Sequence, residues 1–432
     1  MPRLARPPVL LSYATFVLIG ITAGAGGVLL VAQMSGYGVD RATIGVMFFT
    51  NSIGFVLAGL GNGALIGRLG FRAALGVGGA GFVLVGLYLA TRPPFVAFLL
   101  VQVVLGYATG VLESVLNAYI ASLPQARGLL NRLHAFFGVG ALIGPALAAW
   151  ILRLAPWPVV WLILALICVP LLAGFLLAYP GRPVNDAAVG IVGDPAADAA
   201  AEATGNAAAD TAAAGNAAEH PETTTTLPLP PAPARNLLAA ALRERGVLLG
   251  AILLAVYVGL EIGVGNWGFS YLVQSRGLAR LPAGYAVSGY WLGLTVGRFL
   301  ISPIAARLGA STSRMIYACM IGVIAAATLA WLAPGESLAV TALALLGFFL
   351  GPIFPTTMAI VPELTDEDLA PTAIGIMNAG GIAGGSALPW LAGVITQSAG
   401  MWTLLPFSVA LGVLELAAWR PIARRIETTR MR

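Results

Sequence analysis

Twelve stretches of this chain, from 9–34 to 402–419, are each close to the length of a membrane crossing and carry almost no charge. A spanning α-helix needs about 20 apolar residues to cross a hydrocarbon core of ~30 Å. Only 9% of the residues are charged and 59% are hydrophobic. A soluble domain carries about 25% charged residues. Such a chain cannot cover itself with polar surface and takes lipid as its solvent, where every backbone polar group must be satisfied within the protein. The first apolar run continues for about 25 residues, so it reads as a helix and not as a cleavable signal peptide. The expectation is an all-α membrane protein with twelve transmembrane helices.

Most gaps between the apolar stretches are short. The exception is 180–246, rich in Ala, Asp, Thr and Pro, with almost no large apolar residue. A segment of that composition cannot bury a core. It reads as a disordered linker between a six-helix bundle over 1–179 and a second over 247–432, the latter ending in a short basic tail. Every basic residue is Arg. Of 23, 17 fall on the side of the termini and the linker, 5 on the other side, and Arg298 inside an apolar segment. By the positive-inside rule both termini and the linker are cytoplasmic in a multi-pass cell-membrane protein. The net charge of +5 is thus an orientation signal, and nucleic acid is not an expected partner. Cys168 and Cys319 lie in apolar runs and read as packing residues.

The two halves carry one pattern. A shift of 239 positions places Gly20, Gly24 and Gly26 on Gly259, Gly263 and Gly265, Gly54 on Gly293, and Arg68-Leu69-Gly70 on Arg307-Leu308-Gly309. With slightly different offsets Gly106 falls on Gly347 and Pro145 on Pro389. Two pseudo-symmetric six-helix repeats are the build of a transporter whose halves rock about a solute held between them.

The run from Gly63 to Arg72, with Gly63, Leu65, Arg68, Gly70 and Arg72 in place, resembles the loop between helices 2 and 3 of the major facilitator superfamily. Its acidic position is Gly67 here. Leu112-Glu113-Ser114, Asn117, Leu130-Asn131 and Phe136-Phe137-Gly138 are similar to the fucose permease branch, as are Tyr257-Val258-Gly259 with Glu261, and Gly351-Pro352-Ile353-Phe354-Pro355. The resemblance implies the major facilitator fold and proton-coupled sugar symport. It makes Glu113 a protonation site, and Gly63, Arg68, Gly70 and Arg72 gating residues, with Arg307 and Gly309 as their repeat partners. The branch's second acid, an Asp in helix 1, would fall near Gly26 or Gly27, where this chain has none.

The residues speak for themselves as well. Glu113 lies about 16 Å from the inner end of its helix at 1.5 Å per residue, near the bilayer midplane. A charge there costs about 2.5–3.5 kcal/mol, so such a carboxylate usually faces a cavity and has a task. Gly106, Gly110, Glu113 and Asn117 share one helix face. Glu261 is also near the middle, with Tyr257 on its face. Asn266, Trp267 and Tyr271 follow: aromatic rings offer a sugar a flat apolar surface and Asn reads hydroxyls. Arg298 sits about 13 Å from the inner end of its helix. It pairs with an acid, binds an anionic solute, or clamps backbone carbonyls. His134 and Asn378 occupy matching places in the two halves, for gating, proton relay or capping. Gln33, Asn51 and Gln102 read as amides that join helices.

No Cys/His metal spacing and no phosphate-binding glycine loop ending in Lys is present, so neither an enzyme, a metal nor a cofactor is expected. The reading is a monomeric transporter for a sugar or related small polar solute, with protons as co-substrate and Glu113 and Glu261 as coupling residues. The candidate binding residues are Asn117, Tyr257, Glu261, Asn266, Trp267, Tyr271, Arg298, His134 and Asn378. Proton-coupled efflux of drugs or metabolites, towards which Gly140, Gly144 and Pro145 point weakly, and sugar uniport stay open.

Overall fold

A computed structural model describes residues 6–181 and 237–430. The first bundle contains α1 (Arg6–Tyr37), the short α2 (Arg41–Ile44), α3 (Val46–Ala90), α4 (Phe95–Ala121), α5 (Ala126–Ile151) and α6 (Trp157–Ala178). The second contains α7 (Leu237–Ala241), α8 (Arg245–Gln274), α9 (Arg280–Arg307), α10 (Thr312–Leu332), α11 (Glu336–Leu350), α12 (Ile353–Ala359), α13 (Val361–Leu364), α14 (Ala370–Ala399) and α15 (Leu404–Arg430).

Ten of these stretches are long and apolar enough to cross a membrane. One of them, Arg41–Ala90, holds 50 residues. It is broken at Gly70, whose φ of 75° is left-handed backbone that favours glycine. α3 therefore crosses twice. α9 is less apolar because it carries Arg280, Arg298 and Arg307, yet its 28 residues give it spanning length. With α11 to α13 as one broken crossing, the described residues make twelve. Gly309 follows α9 with φ 65°, the counterpart of Gly70 in the second half.

Residues 182–236, most of the expected linker, lie outside the described residues. The linker's final part is helical instead of extended coil: α7 occupies Leu237–Ala241, and α8 starts at Arg245. Because each half crosses an even number of times, α1 begins and α15 ends on one face, here the terminal face; the opposite one is the distal face.

Glycines decide which helices touch. A Cβ on Gly54 of α3 would strike the Val103 carbonyl of α4, and one on Gly106 would strike the Asn51 carbonyl. The second half repeats the contact: Gly293 of α9 meets the Ala344 carbonyl, and Gly347 of α11 meets that of Tyr290. Gly20 and Gly24 of α1 interlock with Gly140 and Gly144 of α5 in the same way, as Gly259 of α8 does with Gly384 of α14. Small residues let backbones approach closely where lipid supplies no hydrophobic drive. The run from Gly140 to Pro145 is accounted for by this packing.

Contacts described between the bundles gather at mid-membrane and toward the distal face. Gly138 of α5 abuts Thr295 of α9, and Gly284 of α9 abuts Pro145 and Ala149 of α5. Ser386 of α14 donates to Ser52 of α3 at 2.6 Å. The Phe48 ring meets Trp267 edge-on at 6.4 Å, and Phe49 meets Trp390 at 5.8 Å. Toward the terminal face Gly59, Gly63 and Gly67 have open space beside them. The described contacts hold the bundles together at mid-membrane and on the distal face.

Candidate functional site

Two of the expected site residues are carboxyl groups deep in the protein, Glu113 in the first bundle and Glu261 in the second. Glu113 is half-buried in α4, about 12 Å from its terminal-face end by helical rise. Among the described residues it makes no hydrogen bond or ion pair. Asn117 follows one turn later on the same face, half-buried, and its Oδ1 is buried without a partner. An unsatisfied buried polar atom calls for an explanation, because its desolvation is otherwise uncompensated by about 1–3 kcal/mol.

Glu261 is half-buried in α8, about 20 Å from the helix's distal end. Its surroundings are richer. Tyr257, one turn earlier and fully buried, turns its Oη toward the carboxyl without reaching hydrogen-bond geometry, and that oxygen has no partner among the described residues. Tyr290 of α9 donates to the Glu261 backbone carbonyl at 2.9 Å and holds α8 against α9. Arg298, half-buried in α9, brings its positive charge within reach of both Glu261 and His134. His134 belongs to α5 of the other bundle and packs edge-on against Phe16 at 5.6 Å. Arg298 thus lies where the bundles meet.

Arg298 also answers a local defect. α11 ends at Leu350 with Gly351 as its cap, and the residue four places after Gly351 is Pro355, which has no N–H to offer the Gly351 carbonyl. Arg298 Nε donates to that oxygen at 3.4 Å. The arginine is therefore a clamp on a broken helix and a charge beside an acid at once.

Other residues are placed elsewhere. Trp267 is fully buried and donates Nε1 to the Pro389 carbonyl at 2.8 Å. Tyr271 is buried and donates to the Ala330 carbonyl at 3.1 Å, with Arg276 donating to its hydroxyl at 2.8 Å. Tyr271 packs within the second bundle, Trp267 also meets Phe48 of the first, and neither polar atom is free for a solute. Asn266 returns its Nδ2 to the Ile262 carbonyl at 3.0 Å and sets its Oδ1 against Gly26 of α1. A Cβ on Gly27 would lie 2.6 Å from the Asn266 carbonyl. Of the two helix 1 positions where the resemblance would place an acid, Gly27 is a point of close backbone contact with no room for a side chain, and Gly26 meets only the end of the Asn266 side chain. Asn378 is half-buried in α14 and has no hydrogen bond among the described residues.

Of the gating candidates, Gly63 and Arg68 are exposed at the terminal face, and so are Arg307 and Gly309. Arg72 donates Nε to the Tyr179 carbonyl at 2.7 Å, tying the second crossing of α3 to the end of α6 inside one bundle. Gly70 and Gly309 supply the left-handed turns. The amides behave unevenly: Asn51 donates to the Gln102 carbonyl at 3.4 Å, whereas Gln33 is buried with both side-chain polar atoms unpartnered among the described residues.

Sequence reasoning does not single out Glu415. It is fully buried in α15 with both oxygens unpartnered among the described residues. Its signal was available, as an acid within an apolar run. Nor does it single out Arg41, described below. Among the described residues no group of three or more His, Cys, Asp or Glu is placed to hold a metal.

Comparison with known proteins extends this picture. The family model of the Major Facilitator Superfamily matches residues 11–343 and 268–429. Bypass of stop codon protein 6 of Saccharomyces cerevisiae is 24% identical over 408 residues, which cover 92% of this chain and 78% of that protein. Among solved structures, the E. coli fucose:proton symporter superposes with a TM-score of 0.56 at 16% identity, over 96% of this chain and 98% of the other. The nucleoside transporter NupG superposes with a TM-score of 0.70 at 14% identity, over 97% and 100%. At these identities the structural likeness is one of fold.

Proposed function

This chain belongs to the Major Facilitator Superfamily, and from that premise we propose that it moves a sugar or related small polar solute together with protons, by alternating access between its two bundles. One observation carries the reading. Glu113 lies deep in a spanning helix with no hydrogen bond or ion pair among the described residues, next to an unpartnered Asn117 Oδ1. A carboxyl so placed is costly to keep charged, and a proton removes that cost. Glu261, with Tyr257 Oη and Arg298 beside it, is the candidate acid in the second bundle. The unpartnered Asn117 and Tyr257 oxygens are hydrogen-bonding sites for hydroxyl groups.

The cycle has a simple electrostatic logic. Protonation of Glu113 discharges the first bundle, and Arg298 offsets the charge of Glu261 in the second. The loaded protein can then close around its solute without carrying a bare charge through the apolar interior. The terminal face is cytoplasmic in this reading, by its excess of Arg. The fucose:proton symporter among the structural neighbours supports the reading at the level of fold. The test uses proteoliposomes loaded with a pH dye and a panel of hexoses, 6-deoxyhexoses and polyols added outside. Lumenal acidification driven by one of them, and lost in Glu113→Gln, is the expected result. Counterflow of the sugar without proton movement overturns the coupling. No response to any sugar, with proton exchange driven by lipophilic cations, overturns the substrate class.

A further inference from the structure

The distal face carries a cleft of about 460 Å³ lined by residues of both bundles, among them Ser35, Asp40, Arg41, Gln274 and Gln397. Arg41 reaches across it. Its Nη1 donates to the Thr396 carbonyl at 2.9 Å and to Gln397 Oε1 at 3.5 Å. Its Nη2 donates to Gln274 Oε1, and its backbone N–H donates to Gln397 Oε1 at 3.3 Å. Gln274 is the last residue of α8, and Thr396 and Gln397 lie in the last turn of α14. One residue of the first bundle therefore holds the distal ends of two helices of the second.

The sequence around Arg41 presents it for this. Asp40 caps α2 by accepting the Thr43 N–H at 2.7 Å. That one-turn helix leads from the end of α1 into α3 and brings the guanidinium to the second bundle. Close packing completes the contact: a Cβ on Gly393 of α14 would lie 2.9 Å from the Arg41 carbonyl, and one on Gly45 would lie 3.1 Å from the Trp390 ring. The planar fork of arginine holds its donors spread in a fixed geometry that reaches acceptors on two helices, which the compact ammonium of lysine does not match. The repeat supplies an internal control. Arg280 stands 239 positions after Arg41. It is exposed and has no hydrogen bond or ion pair among the described residues. The clasp is thus one-sided and is not a consequence of the repeat.

We propose that Arg41 is the distal lock of the protein, whose bonds to Gln274, Thr396 and Gln397 hold the two bundles closed on that face and must break for the face to open. Its place in a transport cycle rests on the transport reading above, but the lock itself is a statement about conformation. All its acceptors are neutral oxygens, so it can be released without separating an ion pair. That suits a gate that opens once per cycle. A solute or water entering the cleft can take over the freed acceptors.

The test measures distance and not transport, so it stands whatever the solute. Spin labels are placed at Thr43→Cys in α2 and Ser398→Cys in α14, both exposed. The native Cys168 and Cys319 are buried. With the protein in lipid nanodiscs, the unmutated background should give a mostly short distance. Arg41→Gln should shift the ratio of long to short by about tenfold, the loss expected from removing charge-assisted hydrogen bonds. Arg41→Lys should shift it in the same direction, and Arg280→Gln should not move it. The double variant Gln274→Ala, Gln397→Ala removes the acceptors, keeps the arginine, and should also lengthen the distance; it decides the matter if Arg41→Gln does not fold. An unchanged distribution in the folded variants overturns the lock. Loss of proton-coupled transport in wild type, with the distance shift intact, overturns the transport reading and leaves the lock standing.

Discussion

Arg298 of α9 donates its Nε to the carbonyl oxygen of Gly351 at 3.4 Å, at the point where α11 stops and Pro355 withholds the N–H that would continue it. A residue that reads as a candidate anion binder is thereby a structural clamp as well. The two roles can be separated. Arg298→Met strands the Gly351 carbonyl and should lower thermal stability in detergent by an amount corresponding to about 1–3 kcal/mol. Pro355→Ala restores a helical donor to that oxygen. The double variant should regain much of the stability without regaining solute binding. Equal stability of the single and double variants would show that Gly351 is not what Arg298 supports.

The tyrosines of α8 divide in the same manner. Tyr257 Oη has no hydrogen-bond partner among the described residues, so Tyr257→Phe should leave the melting temperature unchanged and raise the KM for solute. Tyr271 bonds to the Ala330 carbonyl, so Tyr271→Phe should cost about 1 kcal/mol of stability and leave KM unchanged. Thermal melts and counterflow on both variants decide the point; a KM change confined to Tyr271→Phe would reverse the assignment.

The glycine contacts set a sharper stability contrast. Gly54→Ala and Gly293→Ala each drive a methyl into a backbone carbonyl of the neighbouring helix and should destabilise by about 1–3 kcal/mol or more. Gly63→Ala meets open space and should melt as wild type does. Because positions 54 and 293 are repeat partners, their effects should be similar; a large inequality would mean that the two bundles pack differently in the membrane.

Asp40 limits where a pH response can come from. Its hydrogen bonds with Thr43 hold the carboxyl below its ordinary value. A group depressed on folding contributes fully above its unfolded value, near about 4, and loses that contribution only as pH falls through the folded one. Asp40 therefore stays charged between about pH 5 and 8, and the cap on α2 persists there. Distances between labels at Thr43→Cys and Ser398→Cys should respond to pH in that window equally in wild type and in Asp40→Asn. A response present in wild type and absent from the variant would contradict this.

Glu113→Gln separates coupling from movement. The amide keeps size and hydrogen bonding but cannot take up and release a proton. Solute-driven proton flux should fall to background while solute exchange continues. Loss of both in a protein that still folds would make Glu113 a binding group.

The architecture is legible in the sequence to an unusual degree, because membrane solvation and helix contact both write local signals. A crossing needs a long run without charge, which a one-dimensional scan detects; only α9, with Arg298 within it, blurs that signal. Close helix approach needs glycine, so Gly54, Gly106, Gly293 and Gly347 announce the repeat before any contact is known. The acids Glu113 and Glu261 stand out by their cost. What the sequence could not decide is direction and partnership. Trp267 and Tyr271 lie near Glu261 in the chain, but the rotation of α8 against α10 and α14 sends their polar atoms to the Ala330 and Pro389 carbonyls. Gly26 and Gly27 look like a missing acid, and only the approach of the Asn266 backbone shows that a side chain would not fit at Gly27. Arg41 reads as an ordinary loop arginine until the fold brings Gln397, 356 positions away, to its side. Burial cost and backbone geometry are properties of a residue and its near neighbours, so sequence by itself determined the crossings, the repeat and the acids. A hydrogen bond between bundles depends on how whole helices are turned and paired, and that was decided only by the tertiary structure.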